Sequence, residues 1–167
     1  MRTRHNIDLK NNERGFTLHW ENRLILSHTA DAPCLWIGAG VADIEMFRGN
    51  FSIKDKLNEK IALTDATVTQ QSAGWAIRFT RGDAVSATLL VGVDGEGRLE
   101  MKLKNDATRH NRIWLRLAAQ PEDHIYGCGE QFSYFDLRGK PFPLWTSEQG
   151  VGRNKQTYVT WQADCKE

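Results

Sequence analysis

The stretch Trp75-Ala76-Ile77-Arg78-Phe79-Thr80-Arg81 alternates large apolar side chains with small or polar ones. Its period is two, the spacing at which side chains of an extended strand return to the same face. Trp75, Ile77 and Phe79 share one face, and Arg78 and Thr80 occupy the other, which should meet water. The pattern repeats downstream. Val85, Ala87, Leu89 and Val91 form a second inward row. Asp94-Gly95-Glu96-Gly97 is a hairpin turn, and Leu99, Met101 and Leu103 return on the partner strand.

The flanking sequence extends the same pattern in both directions. Phe16 to Trp20 alternates, Glu21-Asn22 turns the chain, and Arg23 to Ser27 follows as a hairpin partner. Pro33 breaks the chain before a short strand at Leu35-Trp36-Ile37. Gly38 and Gly40 mark a bend, Asp43 to Phe47 reads as another strand, and Arg48-Gly49-Asn50 as a turn. Ala62 to Gln70 is rich in Thr and Val and ends at the turn Gln71-Ser72-Ala73-Gly74. After the polar loop Asn105 to Asn111, the run Ile113, Leu115, Leu117 alternates again, and Thr157 to Trp161 reads as a last strand. Only Phe51 to Lys60 competes as a helix, and its apolar residues form no stripe. Roughly eight to ten short strands divided by turns predict an all-β fold, a β-sandwich.

Composition narrows the class of function. The chain has 167 residues, enough to bury roughly 70% of the surface it would expose unfolded. It is 40% apolar and 26% charged, with a net charge of +1. That balance gives no electrostatic case for nucleic acid or an anionic membrane. Mean hydropathy is -0.53, and no apolar run reaches the length of a membrane span. The first ten residues carry no apolar signal-peptide core. Cys34, Cys128 and Cys165 are odd in number and widely spaced, which fits reduced thiols in a cytoplasm better than disulfides. His5, His19, His28, His110 and His124 show no metal-ligand spacing, so no metal site is expected.

From Tyr126 to Arg153 the alternation stops. Tyr126-Gly-Cys-Gly-Glu130 is followed by Gln131-Phe-Ser-Tyr-Phe-Asp-Leu-Arg-Gly139, and then by Ser147-Glu-Gln-Gly-Val-Gly-Arg153. A long loop of aromatics, glycines and charges in a compact domain is more often functional than a spacer. Phe132, Tyr134, Phe135, Phe142 and Trp145 either pack the loop onto the sandwich or offer stacking faces to a sugar. Glu148, Gln149 and Arg153 carry the donors and acceptors that a hydroxyl-rich or anionic ligand needs. The competing reading makes Tyr126-Gly-x-Gly a tight turn and Glu148 with Arg153 a surface ion pair. Gly127-x-Gly129 lacks the third glycine of a dinucleotide fingerprint, and Ser133 and Ser147 lack a nucleophile elbow. No cofactor is implied.

These strings resemble glycoside hydrolase family 31, the retaining α-glucosidase family, whose signature is Tyr-Gly-x-Gly-Glu. The two longer strings, with Cys34-Leu-Trp-Ile-Gly38 and Met46-Phe-Arg-Gly-Asn-Phe-Ser-Ile-Lys-Asp55, are similar to its sulfoquinovosidase branch. The resemblance implies a galactose-mutarotase-like β-sandwich over residues 1–125. Residues 126–167 would then be the loop and the start of the following strands, ending before a catalytic (β/α)8 barrel. It implies a sugar glycoside as substrate of the parent enzyme and the barrel as partner. The family's nucleophilic and acid/base Asp residues lie on the barrel, so no catalytic residue is assigned here and the fragment alone is expected to be inactive. In many members a sandwich loop reaches over the barrel mouth, and an acid in it contacts sugar hydroxyls. The matching acid is Glu148, after Leu144-Trp145; the family more often carries Asp there. Gln149 and Arg153 are the companion substrate-binding candidates. The alternatives are a free-standing carbohydrate-binding or interaction sandwich, or part of a general α-glucosidase.

Overall fold

The computed structural model describes residues 7–13, 15–47, 50–83, 85–106, 109–126, 135–144 and 159–162. Twelve strands follow in chain order, and among the described residues there is no helix. They are β1 (Ile7–Asn12), β2 (Gly15–Trp20), β3 (Arg23–Thr29), β4 (Leu35–Phe47), β5 (Asn50–Ala62) and β6 (Asp65–Gln71). Then come β7 (Gly74–Thr80), β8 (Ser86–Val93), β9 (Leu99–Asn105), β10 (Arg112–Leu115), β11 (Pro141–Leu144) and β12 (Val159–Gln162). The sheet orders are β1-β2-β3, β10-β4-β5, β6-β7-β8-β9 and β11-β12. The chain forms two compact units, Met1–Gly40 with Leu57–Ala118, and Val41–Lys56 with Ala119–Glu167.

The first unit has one core. Ile77 and Phe79 of β7 and Ala87, Leu89 and Val91 of β8 are buried on the inner face of the four-stranded sheet. The period-two pattern therefore sets the face as expected, because a slip of one residue would turn every one of them outward. Phe16, Leu18 and Leu26 come from β2 and β3, and Leu35 and Ile37 from β4, to close the same cluster. These facing sheets are the sandwich that the alternation predicts. Trp75 is only half-buried, at the rim of its row.

The turns follow their local chemistry. Glu21 and Asn22 both take positive φ, 49° and 68°, as a two-residue hairpin between right-twisted strands requires. Asp94 organises the β8–β9 turn. Its Oδ1 accepts from the amides of Glu96 and Arg98, both at 2.9 Å, and its Oδ2 meets Arg98 Nε at 2.8 Å. The Arg98 amide and side chain hold the Asp94 carboxyl down to about 2.

Parts of the chain differ from what the alternation alone marks out, and the rival helix reading is resolved. The strand β1 was not foreseen, since only Ile7 and Leu9 of its six residues are apolar. It is recruited by antiparallel pairing to β2, with Leu9 opposite Leu18. Phe51 to Lys60, the helix rival, is strand: it lies within the 13-residue β5. Gly38 and Gly40 do not bend the chain. They run inside β4, and at Gly38 Trp114 from β10 takes the space a side chain would need. A Cβ on Gly38 would strike the Glu59 carbonyl oxygen and stand 2.9 Å from the Trp114 ring. The alternation at Ile113 and Leu117 also fails to bury them: they are 42% and 50% exposed.

Two side-chain links complete the first unit. Asn111 presents its amide to Gly40 as a strand would: the Gly40 amide donates to Oδ1 at 3.0 Å and Nδ2 donates to the Gly40 carbonyl at 2.9 Å. His28 is buried at 1% exposure between Phe16, stacked at 5.5 Å, and Phe79, edge-on at 5.2 Å. The Cys34 amide donates to its Nδ1 at 3.3 Å, and Nε2 reaches the Thr64 carbonyl at 3.2 Å. That pair of partners selects the neutral tautomer with the proton on Nε2.

Gly38→Ala should destabilise the protein by about 1–3 kcal/mol, since neither a backbone carbonyl nor a packed indole can retreat cheaply. Urea unfolding should show a lower midpoint at unchanged slope. Burial holds the His28 pKa below its ordinary value, against the opposing pull of Thr64 and Asp65. The unfolded chain therefore binds the proton more readily, and the His28 contribution is complete above pH of about 6.5 and declines as pH falls below it. Stability measured from pH 8 to pH 5 should show this decline, and His28→Gln should flatten it.

Candidate functional site

In the second unit, Gln120 to Ile125 is tied to Asp136 to Arg138. Asp136 sits at the centre. Its Oδ1 accepts from the amides of Ile125 and Arg138, both at 3.0 Å, and its Oδ2 lies 2.7 Å from His124 Nδ1. The Leu137 amide donates to the Ile125 carbonyl at 2.8 Å, drawing the two chain segments together. Arg138 reaches back with Nη1 to the carbonyls of Gln120 and Asp123, the latter at 2.9 Å. Asp123 in turn accepts from the Gln120 amide at 2.7 Å. Gly139 follows with φ 62°, a left-handed position that closes the turn.

The electrostatics of this clip exclude Asp136 as a general acid. Amide donation from Ile125, then His124, then the Arg138 amide, holds its carboxyl at about 2. A carboxyl held that low is ionised at neutral pH and has no proton to give a leaving group. It is a structural anion whose lone pairs are already engaged.

The clip sets aromatic side chains in solvent. Tyr126 is 56% exposed and Phe135 88% exposed, with ring centroids 5.1 Å apart. His124 stacks on the other side of Tyr126 at 6.1 Å. At these two positions the aromatics are an exposed ledge rather than core. Leu137, between Asp136 and Arg138, is buried. Glu148, Gln149 and Arg153, the expected substrate-binding residues, lie outside the described residues, as do Gly127 to Tyr134 and Trp145. The clip itself was missed in the sequence, although Asp136-Leu-Arg-Gly139 carries a turn's usual Asp and Gly.

A second pairing has the ingredients of a nucleophilic site and the wrong environment for one. Cys34 Sγ lies 3.7 Å from His28 Nδ1. Burial pushes the thiol up to about 11, so it carries no thiolate at neutral pH. Cys34 is fully buried in the core cluster. Among the described residues no group of three His, Cys, Asp or Glu is placed to hold a metal ion. No helix among them is long and apolar enough to cross a membrane.

A sandwich with sheets of this order and an exposed aromatic ledge defines a class of all-β domain, and comparison with known proteins gives the family. Residues 7–161 match the glycosyl hydrolase 31 N-terminal galactose mutarotase-like domain, and the chain belongs to that family. It is 76% identical over 93% of its length to a sulfoquinovosidase of Escherichia coli (strain K12), covering 23% of that protein. It is 42% identical over 90% of its length to a sulfoquinovosidase of Agrobacterium fabrum (strain C58), covering 22% of it. A solved GH31 family sulfoquinovosidase from E. rectale, in complex with the aza-sugar inhibitor IFGSQ, matches at a TM-score of 0.68 and 39% identity. That match covers 91% of this chain and 22% of that one. The chain thus spans less than a quarter of the length of these relatives.

Asp136→Ala should free the neck of the loop. Amide hydrogen exchange at Ile125 and Arg138 should rise about tenfold or more, as a charge-assisted bond is lost at each. Because the Asp136 pKa is depressed, the clip should hold above pH of about 4 and fail only as pH falls toward 2.

Proposed function

We propose that this chain is the N-terminal domain of a retaining α-glycosidase that hydrolyses α-sulfoquinovosides, the sulfoquinovosyl glycerol type among them. The observation that carries the reading is 76% identity to the Escherichia coli sulfoquinovosidase across nearly the whole chain. Identity at that level extends through surface positions as well as core. It is more than a shared fold alone demands.

In this reading residues 1–125 are the sandwich and residues 126–167 lead toward a catalytic barrel. Retaining hydrolysis needs a nucleophilic carboxylate and a carboxylic acid about 5–5.5 Å apart on either side of the glycosidic bond. Asp136 has the wrong protonation state for the acid and is held by Ile125, Arg138 and His124, and the neutral pair Cys34–His28 is sealed in the core. The chain's part is therefore to bind and position. Glu148, with Gln149 and Arg153 beside it, meets sugar hydroxyls at the rim of the active site. The exposed Tyr126–Phe135 ledge packs on the barrel, which supplies the apolar cover these rings lack here.

Two measurements test this. The chain alone should give no turnover of an aryl α-sulfoquinovoside above buffer, and enzyme-like turnover would refute the assignment of catalysis elsewhere. In the full-length parent, Glu148→Gln should lower kcat/KM about 10- to 100-fold, the loss expected of one hydrogen bond between a charged group and a sugar hydroxyl. An unchanged kcat/KM would remove Glu148 from the rim.

A further inference from the structure

The sheet β10-β4-β5 has an outer face that the core does not use. Trp36 on β4 and Trp114 on β10 are paired directly across the ladder, and both are half-buried. Their neighbours Leu35 and Ile37 point the opposite way, into the core. The Lys60 ammonium on β5 lies over both indoles, 4.6 Å from the Trp114 ring centroid and 5.6 Å from that of Trp36. The Arg116 guanidinium lies over Trp36 at 5.4 Å. Gly38 is the bed of this arrangement: the Trp114 ring occupies the space of its absent side chain. The Trp114 indole is therefore seated against the backbone at Gly38, whereas Lys60 and Arg116 are exposed. Among the described residues no carboxylate pairs with Lys60.

We infer that this face is a binding site for an anionic sugar. Two indoles paired across the ladder give apolar surface against which a pyranose ring can stack through its C–H groups when Lys60 moves aside. An ammonium drawn onto aromatic faces keeps its N–H donors for an anion, and it stands where both rings can be reached at once. A cation–π contact at an exposed position is worth about 0.5–1 kcal/mol, so Lys60 can follow an arriving ligand at small cost. Charge selects the ligand within the sugars: a sulfonate, phosphate or carboxylate substituent pairs with Lys60, and a neutral sugar leaves it unanswered. A small ligand fits better than an acidic peptide, because the recognition elements are confined to three adjacent strands. The inference takes its choice of probe from the proposed parent activity. The site itself rests on Trp36, Trp114, Lys60 and Arg116.

The test is an NMR titration of the chain at low salt, following the indole N–H signals of Trp36 and Trp114, assigned by Trp36→Phe and Trp114→Phe. Sulfoquinovose, glucose 6-phosphate, glucose, inorganic sulfate and a poly-glutamate peptide are the probes. Saturable shifts of both indoles are expected with the two anionic sugars, with affinity about tenfold above glucose and above sulfate. Lys60→Gln should abolish that preference while core amide signals stay in place, which separates loss of the site from loss of the fold. Equal response to sulfate alone would reduce the face to a simple anion contact and overturn the sugar assignment. Tighter binding of the peptide would overturn it in favour of a protein partner, and no shift with any probe would remove the site. Hydrolysis is not read in this experiment, so a failure here leaves the parent's activity standing, and an inactive parent leaves the site standing.

Discussion

Phe79 of β7 meets Phe16 of β2 across the core, ring centroids 5.9 Å apart, and the sheets β1-β2-β3 and β6-β7-β8-β9 close around that contact. Sheet-on-sheet burial is a demanding constraint, because it fixes the facing of every residue on both strands once one residue is placed. Ile77, Ala87, Leu89 and Val91 are inward because Phe79 is. His28 is drawn into the same contact between the two rings, and its polarity is absorbed by Thr64 and Cys34. The buried imidazole thus ties β3 to the chain on both sides of the β4–β5 hairpin.

The two titratable clusters show how environment divides similar chemistry. Cys34 with His28 has the residue types of a nucleophile and its base, yet burial keeps both neutral. Asp136 with His124 has the types of a catalytic dyad, yet amide donation holds the carboxylate ionised and occupied. Neither the Cys34 thiol nor the Asp136 carboxyl titrates near neutral pH, where acid–base catalysis operates. A domain whose polar clusters are spent on structure is suited to binding and positioning, which is the part proposed for it. The exposed Tyr126 and Phe135 and the Trp36–Trp114 face are the surfaces proposed for that part.

Much of the architecture was legible because its strands are two-sided. Where one face is core and the other is water, alternation is strong, as from Trp75 to Leu103, and turns such as Glu21-Asn22 and Asp94–Gly97 carry their own backbone chemistry. Where that contrast is weak, the reading failed. The strand β1 has two apolar residues and exists because β2 offers it a ladder. Gly38 and Gly40 resemble a bend in isolation, and only the arrival of Trp114 from 76 residues downstream shows why the strand needs glycine at position 38.

The segment from Tyr126 to Arg153, expected as one loop yet carrying the strand β11, divides along the same line. Its membership of a sugar-hydrolase family is carried by residue identities in order, so Tyr126-Gly-Cys-Gly-Glu130 and the strings after it sufficed to read it. The all-β class was equally open to reading, since period two is a property of neighbours along the chain. The clip on Asp136, the silencing of Cys34 by burial and the cation-capped indoles on β4 and β10 were not. Each depends on groups far apart in sequence, and a pKa or a stacking face is set by what folding brings within about 4–6 Å.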